Sequence, residues 1–556
     1  TPKFFEVFER YRGYDLRPYI NRLLDRNDNE ISNRIRGDYR ETLSDLLVEG
    51  FNPVWNEWAQ NIGVKTKYQA HGSPGNLIDL YASADIPECE TFGSMPYNIN
   101  GFRRMEGNIR AGDADVAMIK FSSSAAHLSG KKQVSAETFT WLREHFRTAL
   151  SQCKPELEDL FLNGINHIFL HGSTYSPESA PWPGWKFYAS VNFNSTNPVW
   201  EDAPALFEYI SRSQSLLQQG RPDNDILVYW PVHDSWAKFN KGNPLVQFAI
   251  HRLDTWLSDT PFYKVTHHLL KEGYSIDYIS DRFLEKVNVE NGVIQLPGGN
   301  YRSIVVPPTQ HMPLKTLKKL IALREMGASV VFLGRPQSIP GFFEYQKKEQ
   351  LLKAFVKEKI NKVYSLNEME IPLKKAGVIK EELVKEGLKF IRREHRGEKV
   401  YYIVNHTPKK IERFVSLSVP AKEVLILDPL NGKKGKAITE HRAKFTNVKL
   451  SLPSGASLFL KTFDRSNAQK WEYYKPAKNS YKILGNWDFK LIKGGPDTDF
   501  SKKIDRMNSW TKWSKKMEAF SGTAQYEIKF KRPSEHKGPW LLELGDVRES
   551  AKIWLN

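Results

Sequence analysis

A chain of 556 residues is too long for a single hydrophobic core and should fold as about three to five domains. Its 40% hydrophobic and 26% charged residues are ordinary for a globular protein, and no apolar run approaches the roughly 20 residues that cross a bilayer, so no membrane span is expected. The 81 Lys and Arg outnumber 64 Asp and Glu, a net charge of +17, but the lysines are scattered, as around Lys315 and Lys433, with no nucleic-acid recognition motif beside them.

Along the first ~220 residues amphipathic helices alternate with short apolar runs. Helices are predicted over residues 1–11, 35–60 and 135–150, the last with Ser135 as cap and Trp141, Leu142, Phe146 and Leu150 on one face. Strands are predicted over 66–70, 116–121 and 167–171. Such alternation implies a parallel sheet covered by helices. The strands stop at His71, at Ser122 to Ser124 and at His171-Gly172, the way a (β/α)8 TIM-type barrel carries chemistry at the C-terminal ends of its strands. Residues 1–222 thus read as the C-terminal part of a catalytic barrel, with its early strands expected upstream of residue 1.

Residues 223–388 read as a small doubly wound α/β accessory domain, with strands at 226–229, 303–306 and 329–333, a helix at 314–326 and a lysine- and glutamate-rich helical tail over 342–388. Its loops carry no G-x-G-x-x-G or P-loop pattern, so no nucleotide is assigned. Residues 389–466 read as a β-sandwich, with strands at 399–405, 414–417, 424–427, 449–452 and 457–463 and a turn at Asn431-Gly432. Residues 467–556 begin a further β-sandwich near Trp487 that is still in mid-strand at Asn556. The fold class is therefore multidomain α/β plus β.

The densest polar stretch, YQAHGSPGNLIDLYASADIPECE, runs from Tyr68 to Glu90. In an extended strand Glu88 and Glu90 share one face and Cys89 takes the other. Two such acids can share a cation, hold sugar hydroxyls or raise one another's pKa; equally, they can be incidental acids of an exposed loop. Glu137 reads either as an acid at a strand end or as a first-turn acid favoured by a helix dipole. Glycoside hydrolysis commonly needs two carboxyl groups flanking the bond, and these glutamates supply candidates. Around them stand His71, His127, His171, Tyr175, Trp182 and Trp185 as substrate-contacting candidates. The 15 Trp, 23 Tyr and 31 Phe can stack on sugar rings or simply fill cores. Only Cys89 and Cys153 are present, too few for a disulfide framework, and C-x-x-C, H-E-x-x-H and G-x-S-x-G motifs are missing.

These residues, in this order, resemble glycoside hydrolase family 106, the α-L-rhamnosidases. The matching stretches are RYRGYDLRPYI from Arg10, RIRGDYRETLSDLL from Arg34, YQAHGSPGNLIDLYASADIPECETFG from Tyr68, SSSAAHLSGKKQVSAETFTW from Ser122 and GINHIFLHGSTYSP from Gly164. VYWPVHDSW, GYSIDYISDRFL, IVVPPTQHMP and ILDPLNG continue the resemblance downstream, and the closing LLELGDVRESAKIWLN resembles a sugar-binding β-sandwich of family 2 glycosidases. The resemblance implies inverting release of terminal α-L-rhamnose from a polysaccharide or glycoside. It makes Glu137 the general base, has Glu88 and Glu90 bind sugar or Ca2+, and puts the general acid upstream of residue 1, so the chain alone is expected to bind rhamnosides and turn them over poorly. Another exo-glycosidase, a calcium-dependent lyase and a non-catalytic carbohydrate-binding protein are the alternatives; a nucleic-acid binder is the most distant. Sugar-polymer chemistry suggests the periplasm or outside the cell.

Overall fold

The computed structural model of the protein describes residues 3–142, 145–442, 444–474, 480–532 and 540–556. Residues 1–2 and 143–144, which fall in two of the predicted helices, lie outside them. Asn29 caps the helix Glu30–Asp45 by accepting from the Ile31 and Ser32 amides, and the chain continues through a π-turn into Asn52–Asn61. Phe8, Leu16, Leu23 and Ile35 close a small apolar cluster beneath these helices.

Four parallel strands follow in sequential order: β1 (Lys67–Tyr68), β2 (Ile86–Glu90), β3 (Ser135–Thr138) and β4 (His167–Leu170). Helices Leu77–Ser83, Val116–Ser129, Leu150–Leu162 and Ala203–Leu217 alternate with them. Neighbours in sequence being neighbours in the sheet is the winding of a (β/α) barrel.

Two predicted elements change identity here. The run at 116–121 is helix, not strand. Asp115 accepts from the Ala117 amide at its start and Gly130 ends it in the left-handed region, which glycine enters without steric cost. Residues 117–128 are buried on every side, so the one-sided stripe that marks a helix is absent, and a short apolar run alone fits a strand as well. Conversely, Ser135 starts a strand rather than capping a helix. The 3.6 spacing of Trp141, Leu142 and Phe146 falls in irregular chain, Trp141 being buried with its indole N–H on Glu156 at 3.0 Å, and the helix begins only at Leu150.

The next segment forms a four-stranded parallel sheet in the order Ser329–Phe332, Ser303–Val306, Ile226–Tyr229, Ile276–Ile279. Starting in the middle and winding outward both ways is the doubly wound pattern. Helices Pro261–Lys271 and Leu314–Glu325 accompany it, and its core is continuous with Phe121, Leu80 and Tyr81 of the preceding helices. Beyond it a six-stranded antiparallel sheet, in which Arg221–Pro222 is an edge strand beside Lys389–His395, faces a three-stranded sheet centred on Phe445–Leu452. Leu383, Tyr401, Val415, Ile426 and Leu450 fill the space between them. A three-stranded sheet around Trp487–Gly495 ends the ordered β structure. Residues 540–556 are not in strand, unlike the sequence expectation: Leu541 and Trp554 stand exposed, and no neighbouring strand pairs with them among the described residues. No helix among the described residues is long and apolar enough to cross a membrane.

Candidate active site

Side chains alternate across β2, β3 and β4, and register partners in parallel strands point the same way. Cys89 is opposite Ala136, which is opposite Ile168; this row packs with Ile119, Ala126 and Leu160. The intervening rows therefore emerge on the other face: Glu88, Ser135 and His167 in one, Glu90, Glu137 and Phe169 in the next. Burial of the Cys89 row is what turns all three glutamates the same way.

Their surroundings differ. Glu88 is 4% exposed and saturated: the Lys67 ammonium lies 2.9 Å away, the Ser135 hydroxyl donates at 2.7 Å and Gln69 Nε2 donates at 3.0 Å. Glu90 faces His71 Nε2 at 3.2 Å, and His71 Nδ1 lies 3.3 Å from the Tyr81 hydroxyl. Glu137 is 28% exposed. It accepts from Gln69 Nε2 at 2.8 Å on one oxygen and from the Thr140 hydroxyl at 3.2 Å on the other, with His171 Nε2 at 3.6 Å. Glu137 is thus the carboxylate of the three open to a solute. Burial and the nearby Lys67 charge hold the His167 imidazole below its ordinary pKa, which favours its neutral form at the lower end of this face.

Of the residues singled out from sequence, Glu88, Glu90, Glu137, His71 and His171 meet here. His171 sits just past β4, its amide bonded to the Thr138 carbonyl at 2.8 Å and its ring edge-on to Phe187. Tyr175 and Trp185 are exposed on the loop that follows. Trp182, on the same loop, lies against the C-terminal sheet, where a Cβ added to Gly495 would come within 2.8 Å of its ring. His127 does not join them. It is buried in the helix Val116–Ser129 with Nδ1 2.9 Å from Asp277, a residue of the doubly wound sheet that also holds Lys120 at 3.2 Å. The misplacement follows from reading 116–121 as a strand, which would have put the residues after it at a strand end.

Sequence reasoning missed Lys67, Gln69 and Thr140. A signal for the first two was present: Lys67, Gln69 and His71 occupy alternate positions, while Ala70 between them is fully buried.

Calcium takes six to eight oxygen ligands, hence a cluster of uncommitted carboxylates or carbonyls. Among the described residues no group of three or more His, Cys, Asp or Glu is arranged to hold a metal ion. Glu88 is committed to Lys67, Ser135 and Gln69, and Glu90 to His71, so the pair does not fit calcium as it stands.

A barrel-type sheet presenting carboxylates beside an aromatic-rich strand-end loop defines the class: the (β/α)-barrel glycosidase-like proteins. The alpha-L-rhamnosidase model of glycoside hydrolase family 106 matches residues 1–441, and the chain belongs to that family. A rhamnosidase from Novosphingobium sp. PP1Y has a similar structure, with a TM-score of 0.71 and 22% identity over 95% of this chain and 49% of its own. A cold-adapted beta-galactosidase from Rahnella sp. R3 shares the fold more loosely, at a TM-score of 0.50 and 9% identity over 83% of this chain and 75% of its own. A curated protein of Formosa agariphila, provisionally named a beta-glucuronidase, is 27% identical over 353 residues, which are 62% of this chain and 26% of that protein. The chain therefore spans about half the length of the solved rhamnosidase and about a quarter of that curated relative.

Proposed function

We propose that this chain carries the water-activating half of an inverting α-L-rhamnosidase site, with Glu137 as general base. The observation behind this reading is that Glu137 alone of the three aligned glutamates is both open to solvent and held by donors, Gln69 and Thr140, that orient it. In the reaction Glu137 takes a proton from water. The water oxygen attacks the anomeric carbon as the bond to the aglycone breaks on the opposite side. The aglycone oxygen leaves with the electron pair and acquires a proton.

Glu90 is not the partner acid. It stands directly beside Glu137 on a neighbouring strand, at a strand spacing of roughly 4.8 Å. An inverting pair must be separated by about 6.5–9.5 Å with the sugar and a water between them. Glu90 and His71 instead form a polar wall suited to sugar hydroxyls, and Tyr175 and Trp185 offer rings for stacking.

The test is hydrolysis of p-nitrophenyl α-L-rhamnoside, whose leaving group departs as a stable anion and needs little help from an acid. Rhamnose is expected to appear first as the β-anomer by NMR, and Glu137→Gln is expected to lower kcat by about 10²–10⁴. Release of the α-anomer first, no release at all, or unchanged turnover in Glu137→Gln would each defeat the proposal.

A further inference from the structure

At the opposite end of β3 and β4, where Val134 and Asn166 enter the strands, the described residues enclose a cavity of about 240 Å³. Its walls come from three places: the end of the helix Val116–Ser129 with Lys131 and Lys132, the turn Pro297 to Gly299, and Gly220 to Pro222 with Arg393 of the strand Lys389–His395. The walls are fixed by close backbone approaches. A Cβ on Gly298 would lie 1.6 Å from the His127 carbonyl oxygen, and one on Gly220 would lie 2.0 Å from that of Glu394. Such contacts leave little room for collapse, so the cavity is preformed.

Its charge is one-sided. Arg393 is 5% exposed, and its guanidinium donates through Nε to the Gln219 carbonyl at 3.1 Å and through Nη2 to that of Gly220 at 3.3 Å. Both partners are neutral, and Nη1 has no hydrogen-bond partner among the described residues. Arg393, Lys131 and Lys132 form no ion pair among the described residues. The nearby acids are engaged elsewhere: Glu394 on Arg221 at 2.9 Å, Asp277 on Lys120 and His127, and Asp85, whose charge also acts on Lys131, on the Thr66 amide at 2.8 Å and hydroxyl at 3.1 Å. Burial lowers the Arg393 pKa to about 10, which still leaves it charged at neutral pH. A buried cation without a counter-charge is costly, and an arginine fork is the side chain best shaped to take two oxygens of one anion.

We propose that this cavity is a binding site for a small oxyanion, a phosphate or sulfate group either free or carried on a saccharide, with Arg393 at its floor and Lys131 and Lys132 at its mouth. It lies at the other end of the strands from Glu137 and is separate from the glycosidase reading. The fixed charges account for the occupant: three cations that form no ion pair among the described residues, around a cavity the size of a small solute, favour an anion, and Asn166 and the turn Pro297 to Gly299 complete the lining.

The experiment is calorimetric titration of the 556-residue chain with sodium phosphate, against sodium chloride at matched ionic strength, repeated with glucose 6-phosphate. Saturable phosphate binding that chloride does not reproduce is expected. Arg393→Gln should weaken it at least tenfold, and Lys132→Gln, at an exposed position that leaves folding intact, several-fold. Tighter binding of glucose 6-phosphate than of phosphate assigns the anion to a saccharide; equal or weaker binding assigns the free ion. Identical responses to phosphate and chloride overturn the proposal, as does phosphate binding by Lys132→Gln and a folded Arg393→Gln that matches the parent. Should Arg393→Gln not fold, the doubly substituted Lys131→Gln/Lys132→Gln chain decides in its place, with parent-like affinity counting against the site.

Discussion

Gln69 gives both carboxylates beside it a donor from one amide nitrogen, at 2.8 Å to Glu137 and 3.0 Å to Glu88. Glu88 can spare it, having Lys67 and Ser135; among the described residues Glu137 otherwise keeps only the Thr140 hydroxyl at hydrogen-bond distance. A hydrogen bond to a charged group contributes about 1.5–3 kcal/mol, so its loss at Glu137 translates into roughly a ten- to hundredfold effect. Gln69→Leu is accordingly expected to lower kcat on the aryl rhamnoside by that factor. The loss should fall on kcat per folded molecule and leave KM nearly unchanged, because the lost donor orients the carboxylate rather than the sugar. A purely structural role for Gln69 would lower the amount of folded enzyme without moving kcat per folded molecule. The alternation of Glu88, Cys89 and Glu90 was legible in the sequence because it depends on one strand only. Gln69's role was not, because it depends on how β1, β2 and β3 line up, and register between strands separated by 10 to 50 residues leaves no trace in local pattern.

Elements were legible where a short buried apolar run is bounded by turn residues, or where a helix buries one face and wets the other. The strands at 226–229, 303–306 and 457–463 and the helix at 314–325 lie within a residue or so of where the apolar pattern put them. The helix Val116–Ser129 was misread because it is wrapped by the helix Leu77–Ser83, by β2 and by the strand Ile276–Ile279, which erases its periodicity. The helix Leu150–Leu162 carries a different hidden feature. Glu158 points from it into the sandwich, fully buried, with His406 Nε2 at 2.9 Å, the Tyr209 hydroxyl at 3.2 Å and Lys154 one turn away. Burial alone would raise its pKa, but Lys154 and His406 outweigh that and bring it down to about 2. A carboxyl whose folded pKa lies below its unfolded value stabilises the fold above the unfolded value and stops doing so as pH falls through the folded one. The window here runs from about 4.5 down to about 2. The melting temperature of the parent should therefore drop on acidification through that window. Glu158→Gln should melt lower at neutral pH and lose part of the acid slope; an unchanged slope would show that the contact does not carry the pH dependence.

Across the whole molecule the segments are joined by charge as well as by apolar contact. Arg392, on the strand Lys389–His395, is fully buried and reaches Asp223 at 2.6 Å, Asp225 at 2.7 Å and Glu381 at 2.9 Å. Asp223 and Asp225 sit where the barrel-type segment hands over to the doubly wound sheet, and Glu381 where that segment hands over to the antiparallel sheets. One guanidinium thus ties Asp223 and Asp225, 169 and 167 residues away in sequence, to Glu381 and its own strand, an arrangement that no local pattern in the chain announces. The acids are not equally dependent on it. Asp223 also has Lys399 at 2.7 Å and Asp225 has Arg302 at 3.2 Å, but Glu381, itself fully buried, would keep only the Tyr401 hydroxyl and the Ser418 amide among the described residues. Breaking a buried ion pair by removing one partner costs about 3–5 kcal/mol, mostly because the other charge is stranded. Arg392→Met should lose that much in urea unfolding, and Arg392→Met/Glu381→Gln should regain part of it by removing the stranded charge. If Arg392→Met unfolds within about 1 kcal/mol of the parent, or the double variant is no more stable than the single one, the cluster is not what holds these segments together.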